Sequence, residues 1–171
     1  TINVNAEPFE VKKGAKFSVS NETMMPFAGK IEWSLRNPAA QVQKSGFFQV
    51  TVDPLSAKWY GELDFGMAET YENYISYRLL DEKEQEISSF SVLFCPPKHF
   101  KFMNPEITVE RKGQEITVTA KAYAKGVEID SPDGDLVLSD NYFDMDAGRK
   151  TVKILRGEAE RCTVRSMYDI R

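Results

Sequence analysis

The dominant hydrophobic period along the chain is two. Ile31, Trp33 and Leu35 alternate with Glu32, Ser34 and Arg36, and Ile75, Tyr77 and Leu79 alternate with Ser76 and Arg78. The same alternation runs through Trp59-Gly61-Leu63-Phe65, Phe90-Val92-Phe94, Ile116-Val118-Ala120-Ala122, Val152-Ile154 and Cys162-Val164. Successive side chains of a strand leave opposite faces, so this pattern predicts strands with one buried face. Turn-forming residues punctuate the runs at Lys13-Gly14, Asn37-Pro38, Asp53-Pro54, Asp81-Glu82-Lys83, Lys112-Gly113, Asp133-Gly134, Ala147-Gly148 and Arg156-Gly157. Lys112-Gly113 and Asp133-Gly134 suit tight hairpin turns, which need positive φ. The spacing predicts an all-β, antiparallel sandwich architecture rather than alternating strands and helices. The one helical candidate, residues 66–74, reads as a loop or short turn.

Pro96-Pro97-Lys98-His99 interrupts the alternation. Two consecutive prolines remove two backbone donors and stiffen the chain, which suits a linker. The sequence therefore divides into a domain over 1–97, with room for about seven strands, and a smaller one over 98–171 with about six or seven. A domain near 70 residues has a thin core, so the second is expected to lean on a neighbouring surface.

Composition narrows the function classes. Of 171 residues, 42% are hydrophobic and 28% charged, which is a globular balance and excludes a disordered chain. Twenty-two basic residues against 26 acidic ones give a net charge of −4. That lacks the basic surplus of a nucleic-acid binder. The longest apolar run, Val92-Leu93-Phe94-Cys95, falls far short of the roughly 20 residues of a membrane span. Neither nucleic acid nor membrane is expected as a partner.

The chemistry-bearing residues are sparse. Cys95 and Cys162 are the only cysteines and read as free, buried thiols. His99 is the only histidine and lies in the linker, so zinc ligation and His-dependent nucleophilic catalysis lack their usual clusters. Phosphate-cradling glycine loops, GxSxG and HExxH are absent. Asp130, Asp133, Asp135, Asp140, Asp144 and Asp146 crowd one stretch. Their spacing does not match a calcium loop, and aspartates serve turns, so neither metal nor cofactor is expected. A glycosidase carboxylate pair drawn from them would need a deep cleft that a small sandwich rarely offers. Trp33 shares a face with Ile31 and Leu35, and Trp59 with Leu63 and Phe65, so both tryptophans are expected in the core. Tyr60 then falls on the opposite face and is the candidate platform for stacking on a sugar ring. Asn21-Glu22-Thr23 fits the glycosylation pattern.

Two stretches carry a family resemblance. Leu138-Ser139-Asp140-Asn141-Tyr142-Phe143-Asp144-Met145-Asp146-Ala147-Gly148, followed by Thr151-Val152-Lys153-Ile154, resembles a segment of the last immunoglobulin-like domain of glycoside hydrolase family 2 β-mannosidases. Ser91 to Phe100, with Asn104-Pro105-Glu106-Ile107, is similar to the junction leading into that domain. The stretch from Val19 to Leu35 is more loosely similar to the penultimate domain. Met145-Asp146 departs from the Leu and small or Pro residue of the family pattern.

The resemblance implies two tandem immunoglobulin-like antiparallel β-sandwiches from the C-terminal part of such an enzyme. It implies no catalytic residue here, because the catalytic glutamates of that family lie on a TIM barrel of about 250 residues. That barrel, in the same polypeptide, is the implied partner, with a homo-oligomer as a further one. Leu138, Tyr142 and Phe143 would pack the strand and its corner. Asp140 and Asn141 would bond backbone in the turn, with Ser139 and Gly148 completing the structural motif. The parent would hydrolyse terminal β-mannose, in a periplasmic or extracellular setting if bacterial and a lysosomal one if animal. Two other readings stay open: a carbohydrate-binding module, and a stand-alone adhesion-type sandwich.

Overall fold

The computed structural model of the chain describes residues 1–9, 14–66, 68–158 and 160–170. Lys13 of the first expected turn and Met67 of the 66–74 loop lie outside the described residues. The chain divides into two compact units, one of residues 1–37 and 41–100, the other of 38–40 and 101–171. Each is built from antiparallel strands, so the expected all-β class is what the chain adopts.

The first unit holds β1 (Ile2–Phe9), β2 (Gly14–Asn21), β3 (Phe27–Arg36), β4 (Val42–Val52), β5 (Ser56–Asp64), β6 (Tyr74–Asp81) and β7 (Glu86–Leu93). A three-stranded sheet, β1-β2-β5, faces a four-stranded one, β4-β3-β6-β7. This is the immunoglobulin-like arrangement, two aligned sheets joined by their inward side chains. Val4, Phe17 and Val19 come from one sheet, and Ile31, Trp33, Val50, Ile75, Tyr77 and Leu79 from the other. Phe17 lies at the centre, with its ring 5.3 Å from Tyr77 and 6.0 Å from Phe48. Buried rings of this size each contribute about 1.5–3 kcal/mol of transfer free energy. Trp33 lies across the facing strand at Gly46, where an added Cβ would come within 2.7 Å of the indole. The described residues of 66–74 make turns rather than a helix, as the sequence implied.

Strand β5 breaks the expected alternation. Lys16 pairs with Glu62 but Phe17 pairs with Tyr60, which leaves Gly61 as an extra residue. Gly61 has φ +53, the left-handed conformation that glycine adopts without a Cβ penalty. The extra residue inverts face parity across the bulge. Leu63 points inward on one side of it and Tyr60 on the other, both packed against the core. Trp59 therefore points outward and is 56% exposed. The expectation of a buried Trp59 and an outward Tyr60 is corrected on this point. Trp33, in an unbroken strand, is 8% exposed, as expected.

The second unit holds β8 (Thr108–Lys112), β9 (Glu115–Ala120), β10 (Ala124–Asp130), β11 (Val137–Leu138), β12 (Phe143–Met145), β13 (Gly148–Arg156) and β14 (Thr163–Arg165). Its sheets are β11-β13-β9-β8 and β12-β10-β14. Ile116, Val118, Val127, Ile129, Phe143, Val152 and Ile154 fill the space between them. Lys112-Gly113 makes the expected hairpin between β8 and β9, with Gly113 at φ +63. Asp133-Gly134 does not make one, because β10 and β11 belong to different sheets. It carries the chain from one sheet to the other.

The bulge yields a stability prediction. An added Cβ at Gly61 would fall 2.3 Å from the Phe48 ring. Gly61→Ala is expected to lower the unfolding free energy by about 2–3 kcal/mol, combining left-handed strain with overpacking. In a urea-denaturation double-mutant cycle, Phe48→Leu should recover part of that loss. Strictly additive losses would show that the ring does not constrain this position.

Candidate functional site

Three regions bear on function: the 138–148 segment, the charged and thiol groups singled out by type, and the outer face of the β1-β2-β5 sheet.

The 138–148 segment is a set of backbone substitutes. Leu138 pairs with Ile154 and packs half-buried against the core. The Ser139 hydroxyl accepts from the Lys153 N–H at 2.8 Å. Asn141 acts as a strand residue in miniature. Its Oδ1 accepts from the Ile129 N–H at 2.8 Å, and its Nδ2 donates to the Ile129 carbonyl at 3.0 Å. The amide thus satisfies a stretch of β10 that β12 is too short to reach. Phe143 is buried in the core. Asp144 accepts from the Gly126 N–H at 2.9 Å and from Lys125 at 2.8 Å. Gly126 sits in the register shift of β10 with φ +60, so the carboxylate takes up an N–H that the irregular ladder frees. Gly148 opens β13 at φ +130.

Two expectations for this segment are corrected. Tyr142 does not pack the corner; it is 67% exposed. Its backbone is left-handed, with φ 58, which turns its side chain to solvent while Phe143 enters the core. Its hydroxyl donates to Glu128 at 3.1 Å. Asp140 forms an ion pair with Lys150 at 2.7 Å in place of the expected turn bond, because the cross-strand ammonium offers the stronger, charge-assisted partner.

Asp130 and Asp133 are also taken up locally. Asp133 accepts from the Arg161 backbone N–H at 2.9 Å and from its guanidinium at 2.7 Å, and Asp130 accepts from the Ser131 N–H. Among the described residues no group of His, Cys, Asp and Glu is arranged to hold a metal ion. His99 ends a short 3-10 turn, exposed, with its ring 6.4 Å from that of Tyr71. Cys95 and Cys162 are free thiols, half-buried rather than fully buried. Burial pushes both thiols up, away from the reactive thiolate. Asn21, read as a sugar acceptor by pattern, is 1% exposed. Its Nδ2 donates to the carbonyls of Met25 at 2.8 Å and Val52 at 3.2 Å, so it clamps two loops together.

The β1-β2-β5 face is different in kind, because its groups point to solvent. Asn5, Ser18 and Trp59 lie in one row across the three strands. Asn3, Ser20 and Ala57 form the row on one side, and Glu7, Lys16 and Glu62 the row on the other. The Lys16 ammonium stands 4.3 Å from the Trp59 ring centroid and 3.1 Å from the Glu7 carboxylate. Tyr60, the sequence candidate, faces the other way, and its hydroxyl accepts from the Thr51 N–H at 2.9 Å. An isolated glycine inside a strand pattern is the signal that could have shown the inversion.

A family model described as "Mannosidase Ig/CBM-like domain" matches residues 13–99. The chain belongs to this family of mannosidase immunoglobulin-like domains. A second model, an Ig-fold domain of mannosidases, matches residues 102–170. Among solved structures, the β-D-mannosidase of Dictyoglomus thermophilum is similar, with a TM-score of 0.80 and 15% identity over 96% of this chain. The exo-chitosanase of Amycolatopsis orientalis is similar with a TM-score of 0.59 and 12% identity over 88% of the chain. These likenesses show the fold. The mannosidase immunoglobulin-like chain spans 21% of the first enzyme's length and 23% of the second's. No curated protein matches it.

Two outcomes are expected for the second unit. Asn141→Ala should cost about 2–3 kcal/mol in thermal or urea unfolding, since it leaves an N–H and a carbonyl of β10 unpaired. A loss within the error of a surface substitution would remove the backbone-substitute role. Arg165 holds Glu128, and Arg161 holds Asp133, below the usual carboxylate range. Stability from these depressed carboxylates is complete above the ordinary carboxylate values and is lost as pH falls through the lowered ones. Carboxyl NMR titration should show Glu128 rise toward its ordinary value in Arg165→Ala, and Asp133 in Arg161→Ala, each still held partly down by its remaining donor, the Tyr142 hydroxyl and the residue-161 backbone N–H.

Proposed function

We propose that this chain is a non-catalytic accessory region of a glycoside hydrolase family 2 enzyme of β-mannosidase type. In this reading it packs against the catalytic barrel of the same polypeptide or against another subunit. The observation that carries it is the paired domain match, 13–99 and 102–170, together with superposition of 96% of the chain on a fifth of a β-D-mannosidase.

The electrostatics agree. A retaining glycosidase needs two carboxyl groups about 5 Å apart, one with its pKa raised so that it can donate a proton. The shifted carboxylates here, Glu32, Glu128 and Asp133, all move down, each held chiefly by an arginine. They are ion-pair partners rather than proton donors.

An apolar tip supports the packing role. Met24, Met25 and Leu55 are exposed at one end of the first unit. Asn21 fixes the β2–β3 and β4–β5 loops that carry them, and the Leu55 N–H donates to the Thr23 carbonyl at 3.2 Å. Exposed apolar side chains on loops whose backbones are tied together suit a surface made to be covered.

The pure chain is expected to release no nitrophenol from 4-nitrophenyl β-D-mannoside. Steady turnover that survives purification to homogeneity would overturn the accessory reading. An exposed apolar patch is expected to make the chain self-associate, and in light scattering the replacement of Met24, Met25 and Leu55 together by serine should reduce that association. Unchanged association would remove the tip as a packing surface.

A further inference from the structure

We propose that the outer face of the β1-β2-β5 sheet is a saccharide-binding platform centred on Trp59. The occupant is a β-linked pyranose chain of gluco or manno configuration. The platform stands on the geometry of that face and does not need the accessory role to hold.

The backbone sets the platform. Without the extra residue at Gly61, strand parity would place Trp59 on the inner face with Leu63. The bulge instead aims the indole at solvent, where 56% of the residue is exposed and contributes little to the core. Bulges commonly re-aim a side chain near a functional site.

The surroundings fit a sugar. Trp59 is the one large aromatic in the three rows; the rest are Asn3, Asn5, Ser18, Ser20, Ala57 and the charged Glu7, Lys16 and Glu62. A β-linked pyranose of this configuration carries axial C–H bonds on one face, which suit the electron-rich face of an indole. Its equatorial hydroxyls project from the ring edge and both donate and accept. Asn amides and Ser hydroxyls do the same. Three strands set about 4.8 Å apart make a row of about 10 Å, enough to meet two linked sugar rings.

The Lys16 ammonium lies 4.3 Å from the ring centroid and is itself tied to Glu7. That ammonium covers one face of the indole, so a sugar stacks on that face only when Lys16 swings aside. Glu7 and Glu62 flank the row and repel an anionic ligand such as a nucleic-acid strand. The density of polar groups around one ring is unlike the apolar centre of a protein interface.

The chain's two tryptophans make the test direct. Trp33 is buried and Trp59 exposed, so two indole N–H signals in a nitrogen–proton NMR spectrum report the interior and the platform separately. The chain is titrated with β-1,4-mannohexaose and with cellohexaose. The expected result is saturable movement of the Trp59 signal, and of Asn5 and Ser18, with Trp33 still. Trp59→Ala should weaken binding by roughly tenfold or more, and Asn5→Ala severalfold, with far-UV circular dichroism unchanged. The Asn5 variant and the direct mapping keep the test decisive if Trp59→Ala perturbs the fold. Absence of movement with both sugars at millimolar concentration would overturn the proposal. So would binding that persists unchanged in Trp59→Ala, or shifts confined to residues away from the face. Loss of self-association in Trp59→Ala without any response to sugar would assign the face to a second copy of the chain, and would overturn it equally.

Discussion

Strand β5 must serve two demands that a regular strand cannot meet together. It ladders with β2 along its length, from Ser56 opposite Asn21 to Asp64 opposite Gly14. It must also supply inward side chains to the core from both sides of Gly61. One extra residue at Gly61 reconciles them. Glycine is required there because its φ is +53 and because the Phe48 ring occupies the space a Cβ would need. Tyr60 and Leu63 then both reach the core, and the hydroxyl of Tyr60 finds the backbone of Thr51. The outward Trp59 is the consequence, and the character of the whole outer face follows from it. A local backbone choice therefore decides both the packing of the first sandwich and what it presents to its surroundings.

The second unit meets a different constraint. Its strands β11, β12 and β14 are only two or three residues long, so their ladders cannot satisfy all of the neighbouring backbone. Side chains take over that task. Asn141 pairs with both polar groups of Ile129, Asp144 with the Gly126 N–H, and Ser139 with the Lys153 N–H. Unpaired buried backbone groups cost as much as lost hydrogen bonds, and a thin core has little surplus to offset them. The family-like segment is thus rich in Asn, Asp and Ser for a structural reason. These short polar side chains can imitate a peptide group. That explains why a cluster of acids in the sequence yields ion pairs and caps rather than a metal site or a proton donor.

The functional reading rests on these two properties together. Glu32, Glu128, Asp133, Asp140 and Asp144 are held by arginines or lysines, and the thiols are shifted away from reactivity. Two surfaces of the first unit are open to a partner: an apolar tip whose loops Asn21 ties together, and a polar sheet face with one tryptophan. Both are rigidly presented, because their backbones are held by ladders or by buried side-chain bonds. Such features suit recognition and packing more than chemistry.

The sequence by itself determined the fold class. Alternation in β3, β6 and β9 is a consequence of one-sided burial, and a period of two survives in the residues that make it. The segment from Leu138 to Gly148 also carried the family likeness, because side chains that replace backbone bonds leave little freedom of residue type. Only the tertiary structure decided which way Trp59 and Tyr60 face, that Asn21 is a buried clamp, and that Asp133-Gly134 joins two sheets. The reason is physical. Periodicity records whether a residue is half-buried, but one inserted residue inverts the faces without changing composition. The partner of a polar side chain is set by a strand that can be distant in sequence: Val52 lies 31 residues from Asn21, and Ile129 lies 12 from Asn141.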